Sequence, residues 1–189
     1  MVIFTSMMDY PVPFAPVHLL FINLINDSLP AIGIGVDDNL GDKDKKPRKT
    51  NKKILNLHSG FKMCFQGSII AICTILAFLV GMEENIYVAR TMAFATLALA
   101  RLFHSFNCRG DYSILKNVAY NKTLFSATII GIVLVNLLLF VPFLQNMFLV
   151  TPLSELEIIY VYVFSLLPTF VLQIIIIIKE LIKKLIKLL

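Results

Sequence analysis

Charge is scarce in this sequence. Only 15% of its 189 residues are Asp, Glu, Lys or Arg, against about 25% in an ordinary soluble domain. A disordered chain is excluded by that scarcity. A soluble globular enzyme is excluded by a hydrophobic fraction of 58% and a mean hydropathy of +0.81. Cysteine is sparse as well. Cys64, Cys73 and Cys108 have neither metal-type nor redox spacing, which removes a secreted disulfide scaffold. Cys64 and Cys73 lie in an apolar segment and read as small buried side chains. No basic region precedes Val2-Ile3-Phe4-Thr5, so a cleavable signal peptide is not expected.

What the sequence does hold is apolar length. At roughly 20 residues per transmembrane helix, it suffices for about five spans, and the fold expected is all-α, a polytopic membrane helix bundle. Blocks bounded by charge place the spans at 18–36, 63–82, 86–106, 123–148 and 158–178, with a charged loop at 37–58 and a basic amphipathic tail at 179–189. The fourth block opens the uncharged stretch Thr123–Ser154, which also holds its exit loop. Residues 1–8 are apolar but too short to cross. With five full spans after them, they read as the outer end of a truncated preceding helix.

The net charge of +5 would suggest nucleic acid only on a soluble basic face. Here it is topogenic. Loop 37–58, the connection 108–122, the tail and Lys62 hold every Lys and Arg except Arg90 and Arg101, while Asp9, Glu83, Glu84, Glu155 and Glu157 fall on the opposite side. Lys and Arg stay cytoplasmic, so both basic loops and the C-terminus are expected inside, in a plasma membrane. The lipid bilayer is the first partner implied, and nucleic acid is not one. The tail sets Lys183, Lys184 and Lys187 among leucines and isoleucines at helical spacing, which favours an anionic inner leaflet.

The informative run is Asn23-Leu24-Ile25-Asn26-Asp27-Ser28-Leu29-Pro30. Asn23, Asn26 and Asp27 are spaced i, i+3, i+4, which puts them on one helix face. Asp27 lies about 13 Å past His18 at 1.5 Å per residue, close to mid-bilayer. A carboxylate there is costly unless partnered, protonated or facing water or an ion. Pro30 removes a backbone donor and frees a carbonyl, and a broken helix with carboxylate, amide and carbonyl oxygens suits a hard cation. The same residues also fit a second arrangement, in which both Asn glue helices together and a protonated Asp27 donates between them. Three side chains do not complete a site for Ca²⁺, which takes six to eight oxygens.

Leu20–Val36 (LFINLINDSLPAIGIGV) resembles the sixth transmembrane helix of P-type cation-transporting ATPases, in the calcium-pump-like branch. Lys45-Lys46-Pro47-Arg48 resembles that family's basic loop between helices six and seven. Thr91–Asn107 is similar to its eighth helix, and Ser165-Leu166-Leu167-Pro168 to its tenth. The resemblance runs from the end of helix five through helix ten. It implies metal ligation by Asn23 and Asp27, and by Asn26 where calcium pumps often carry threonine. Where animal sarcoplasmic-type pumps have a ligating glutamate in the eighth helix, this sequence has Arg101. That residue is either an internal charge near the site or a side chain snorkelling to the headgroups.

The phosphorylation motif D-K-T-G-T is absent from these residues, as is any soluble stretch long enough for a nucleotide domain. The chain as it stands is therefore expected to be no enzyme alone and to bind no cofactor alone. It would be a fragment or split chain supplying half of an ion site, with Ca²⁺ or a similar cation as the transported ion. Its partner would be the N-terminal part of the pump, with helices one to five and the cytoplasmic domains. The competing reading is an ATP-independent small channel or accessory subunit. His104 and Cys108 share an i, i+4 spacing without a third ligand, and His18 and His58 are expected at the membrane interface.

Overall fold

Residues 1–36, 57–108 and 122–188 are described in the structure, a computed structural model. Among them there is no strand, and five helices are long and apolar enough to cross a membrane. A short helix α1 (Val2–Met7) is followed by the first span, which begins as α2 (Pro16–Phe21), widens into a π-helical turn (Ile22–Asn26) and resumes as α3 (Ser28–Gly35). Then come α4 (Leu57–Met82), α5 (Ile86–Cys108), α6 (Lys122–Phe140), the short α7 (Pro142–Phe148) and α8 (Glu155–Leu188).

Helix α5 is the axis of the bundle. Of its span, 67% is buried, against 28–39% of each of the others. Small residues make this possible: Ala89, Ala93, Ala95, Ala98 and Ala100 are all wholly buried, and small side chains let membrane helices approach closely. Around them Phe78, Met92, Phe94, Leu99 and Leu102 fill the core. The α4–α5 hairpin turns in three residues. There Asn85 Oδ1 accepts from the backbone N–H groups of Tyr87 and Val88 at 2.9 Å each, capping α5. A Cβ on Gly81 would lie 2.6 Å from Ala89 Cα, so only glycine permits that approach. At the start of α8, Ser154 and Glu157 form a reciprocal cap: Ser154 N–H donates to Glu157 Oε2 at 2.6 Å and Glu157 N–H to Ser154 Oγ at 3.4 Å.

Several boundaries differ from the hydropathy reading. The block 123–148 is not one helix. Phe140 ends α6, Val141 is extended, and Pro142 opens α7, because proline cannot continue a helix but fits its first turn. Helix α4 starts at Leu57, inside the segment expected as loop, and α5 runs to Cys108. The block 158–178 is part of a single 34-residue helix that carries the tail with it. The basic loop at 37–56 and the connection at 109–121 lie outside the described residues. Cys73 is buried as expected, but Cys64 is exposed on the outer face of α4.

Candidate functional site

The first span does not break at Pro30. The disruption falls one turn earlier, as the π turn, where Asp27 N–H donates to Ile22 C=O at 3.0 Å, five residues back. Proline at 30 has no N–H to give to Asn26 C=O, so that carbonyl is released without unwinding the chain. Isolated π turns recur at functional sites because they redirect side chains.

That redirection splits the three polar residues. Asn26 is buried against α5, with 1% of its surface exposed, and its Nδ2 donates to Ala98 C=O at 3.1 Å. Its Oδ1 is buried and has no hydrogen-bond partner among the described residues. A buried amide oxygen without a partner carries a desolvation cost of about 1–3 kcal/mol and is a ready cation ligand. Asp27 is half-buried and paired with Arg101, Oδ2 to Nη2 at 2.5 Å. Asn23 is exposed and makes no side-chain hydrogen bond within the described residues. Asn26 and Asp27 are thus drawn toward α5, and Asn23 is not. Among the described residues no three His, Cys, Asp or Glu side chains converge on one point.

Arg101 turns to the first span. Its guanidinium holds Asp27 and also lines an open cleft of about 400 Å³, together with Met1, Gly67, Ala71, Thr74 and Leu97. Two lone charges at this depth would each be costly, and together they neutralise each other. On the far side of the span Gly33 lets α3 meet α6, since a Cβ there would stand 2.8 Å from Leu124 Cα.

His18, expected at the interface, is wholly buried. Its ring stacks on Phe94 with centroids 4.5 Å apart. Nδ1 accepts from Ala15 N–H at 3.2 Å, which leaves Nε2–H to donate to Phe148 C=O at 2.9 Å. Phe21 packs edge-on against both Phe94 and Phe148, 5.7 Å from each. One neutral imidazole therefore ties the N-terminal end of the first span to α5 and to the end of α7. Hydropathy could not show this joint, because its acceptor is a backbone carbonyl 130 residues away. Among the described residues His104 Nδ1 is hydrogen-bonded to Asn107 Nδ2 at 3.4 Å, and Cys108 is exposed.

Comparison with known proteins bears on these features. Residues 11–178 match the family model described as cation transporting ATPase, C-terminus. The chain is 35% identical over 175 residues to a calcium-transporting ATPase of Bacillus subtilis (strain 168), covering 90% of this chain and 20% of the relative. With the calcium-transporting ATPase lmo0841 of Listeria monocytogenes it shares 35% identity over 136 residues, 70% of this chain and 16% of the relative. With the human calcium-transporting ATPase type 2C member 1 it shares 27% over 162 residues, 82% of this chain and 17% of the relative. The chain spans about a fifth of the length of the curated relatives it matches.

Proposed function

From the premise that this chain belongs to the cation-transporting ATPases, as their C-terminal membrane region, we propose that it supplies half of the transport site of a calcium pump. Asn26 Oδ1, Asp27 and the carbonyl freed by Pro30 face one cation, and Asn23 joins them once the remaining helices of the pump pack against its exposed side. The remaining ligands and the ATP-driven phosphorylation come from an N-terminal part carrying helices one to five and the cytoplasmic domains. The observation that carries this reading is the orphaned, buried Oδ1 of Asn26 beside a membrane-embedded carboxylate at a π turn.

Arg101 sets the number of ions. A guanidinium 2.5 Å from Asp27 occupies the side of the site nearest α5, and a cation cannot ligate a cation. The pump therefore carries one divalent ion per cycle. The orientation that serves this function puts both basic loops and the C-terminus in the cytoplasm of a plasma membrane.

The test is to co-express the chain with a polypeptide carrying D-K-T-G-T and helices one to five, and to measure Ca²⁺-dependent phosphorylation by ATP. Asn26→Ala and Asp27→Asn should each weaken the Ca²⁺ dependence by roughly 30-fold or more, corresponding to about 2 kcal/mol. Phosphorylation with unchanged Ca²⁺ dependence in both variants would remove these residues from the site.

A further inference from the structure

The last ten residues of α8 are joined to the span by an unbroken helix, and the join preserves the register. Inside the span the face turned to the bundle carries Val161, Ser165, Thr169 and Leu172, all buried. The opposite face carries Val163, Phe170, Ile174 and Ile178, all exposed. At about 100° per residue, Leu181 and Ile182 continue that outer stripe, and they too are exposed, at 60% and 52%. Lys179, Lys183, Lys184 and Lys187 occupy the positions that continue the bundle-facing side. In register, Lys179 and Lys184 fall at the two borders between the basic and apolar arcs.

The outer stripe is too long for the membrane. From Leu156, exposed near the start of α8, to Ile182 it measures about 39 Å at 1.5 Å per residue, against a hydrocarbon thickness of roughly 30 Å. A helix with an overlong apolar stripe leans. Leaning outward lowers the Leu181–Ile182 side onto the bilayer surface, and the register leaves the lysine positions on the opposite arc of the helix. That combination of an apolar face, a basic face and border lysines is the pattern of an interfacial helix on an anionic surface.

We propose that residues 179–188 form a lipid-binding anchor, in which the lysine positions recognise the phosphates of anionic phospholipids while Leu181 and Ile182 enter the acyl boundary. Charge selects the ligand: four lysines stand against one acidic residue, Glu180, in this segment, and each basic residue near an anionic leaflet adds favourable electrostatics. Continuity with the span holds the segment at the surface, so modest affinity suffices. The anchor fixes the tilt of α8, which packs on the axial helix α5.

The full chain is tested with Cys64, Cys73 and Cys108 replaced by serine and a single nitroxide attached through Leu181→Cys, Ile182→Cys or Lys183→Cys. Each is reconstituted in vesicles of phosphatidylcholine alone or with roughly 30% phosphatidylglycerol, a typical anionic content for such tests. In the anionic vesicles the labels at 181 and 182 are expected to be shielded from a water-soluble quencher and the label at 183 accessible. Shielding should be lost in phosphatidylcholine, at high salt, and in a variant with Lys179, Lys183, Lys184 and Lys187 changed to Gln. Equal quenching at all three positions in both vesicles overturns the proposal. So does shielding that persists without anionic lipid or without the lysines, which would mean apolar insertion alone. Shielding that arises only when the cytoplasmic part of the pump is added would assign the segment to a protein partner and overturn it as well.

Discussion

Two side chains, Asp27 and His18, tie the first span to its neighbours, and the sequence disclosed one of them. Asp27 stood out because a carboxylate at mid-bilayer depth needs a reason, whereas its pairing with Arg101 joins residues from two separate helices and was legible only as an unexplained internal charge. Both members of that pair keep about a third of their surface exposed, so its strength lies between that of surface and buried pairs. Arg101→Ala should cost about 1–2 kcal/mol of thermal stability on that scale, measured by unfolding in detergent with Asp27→Asn/Arg101→Ala as the double-mutant control. His18 hid more completely, since a lone histidine near a span end resembles an interfacial one. Its two hydrogen bonds and its stacking on Phe94 predict that His18→Ala loses about 2–4 kcal/mol, from two unpaired backbone groups and a cavity. His18→Gln, which keeps a donor and an acceptor, should lose less than half of that. Equal losses in the two variants would reduce His18 to a space-filling role.

At the scale of elements, charge boundaries located the five spans because bilayer thickness dictates apolar length. They could not show where helices bend, since that depends on single backbone donors. Pro142 divides the fourth block for that reason, and the π turn at Ile22–Asn26 relocates the disruption expected at Pro30. Helix contacts are more specific than hydropathy, and glycines read them directly. Gly81→Ala places a Cβ 2.6 Å from Ala89 Cα and should destabilise the α4–α5 hairpin by about 1–3 kcal/mol. Gly67→Ala meets nothing within 4 Å and should be neutral or gain up to about 1 kcal/mol. Similar melting temperatures for the two would contradict the packing. The same hairpin carries a titratable contact, where Glu84 shares a hydrogen bond with Glu157 and is repelled by it, holding the Glu84 carboxyl above its ordinary range. A raised carboxyl supports the fold while protonated and loses that support as pH rises through its folded value. Glu84→Gln should therefore raise thermal stability slightly at pH 7 and leave it unchanged near pH 4. A gain of the same size at both values would exclude the carboxyl contact as its source.

For the molecule as a whole, the family resemblance read from Leu20–Val36, Lys45–Arg48, Thr91–Asn107 and Ser165–Pro168 agrees with a family match across residues 11–178. The fold was legible because membrane helices announce themselves by length. The polar residues of the proposed site were legible in the sequence as oxygen-bearing groups on one helix, but their arrangement was not. Asn26 and Asp27 turn to α5 while Asn23 faces away, a separation set by the π turn rather than by residue spacing. An incomplete ligand set also predicts that the isolated chain binds Ca²⁺ far more weakly than the assembled pump, because two side chains and a carbonyl fall short of six to eight oxygens. The most direct measurement is equilibrium binding of radioactive Ca²⁺ to the purified, assembled pump, compared between wild type and Asp27→Asn. One ion per pump in the wild type and none at the same free Ca²⁺ in the variant is the expected result; binding that survives Asp27→Asn with unchanged affinity would contradict it.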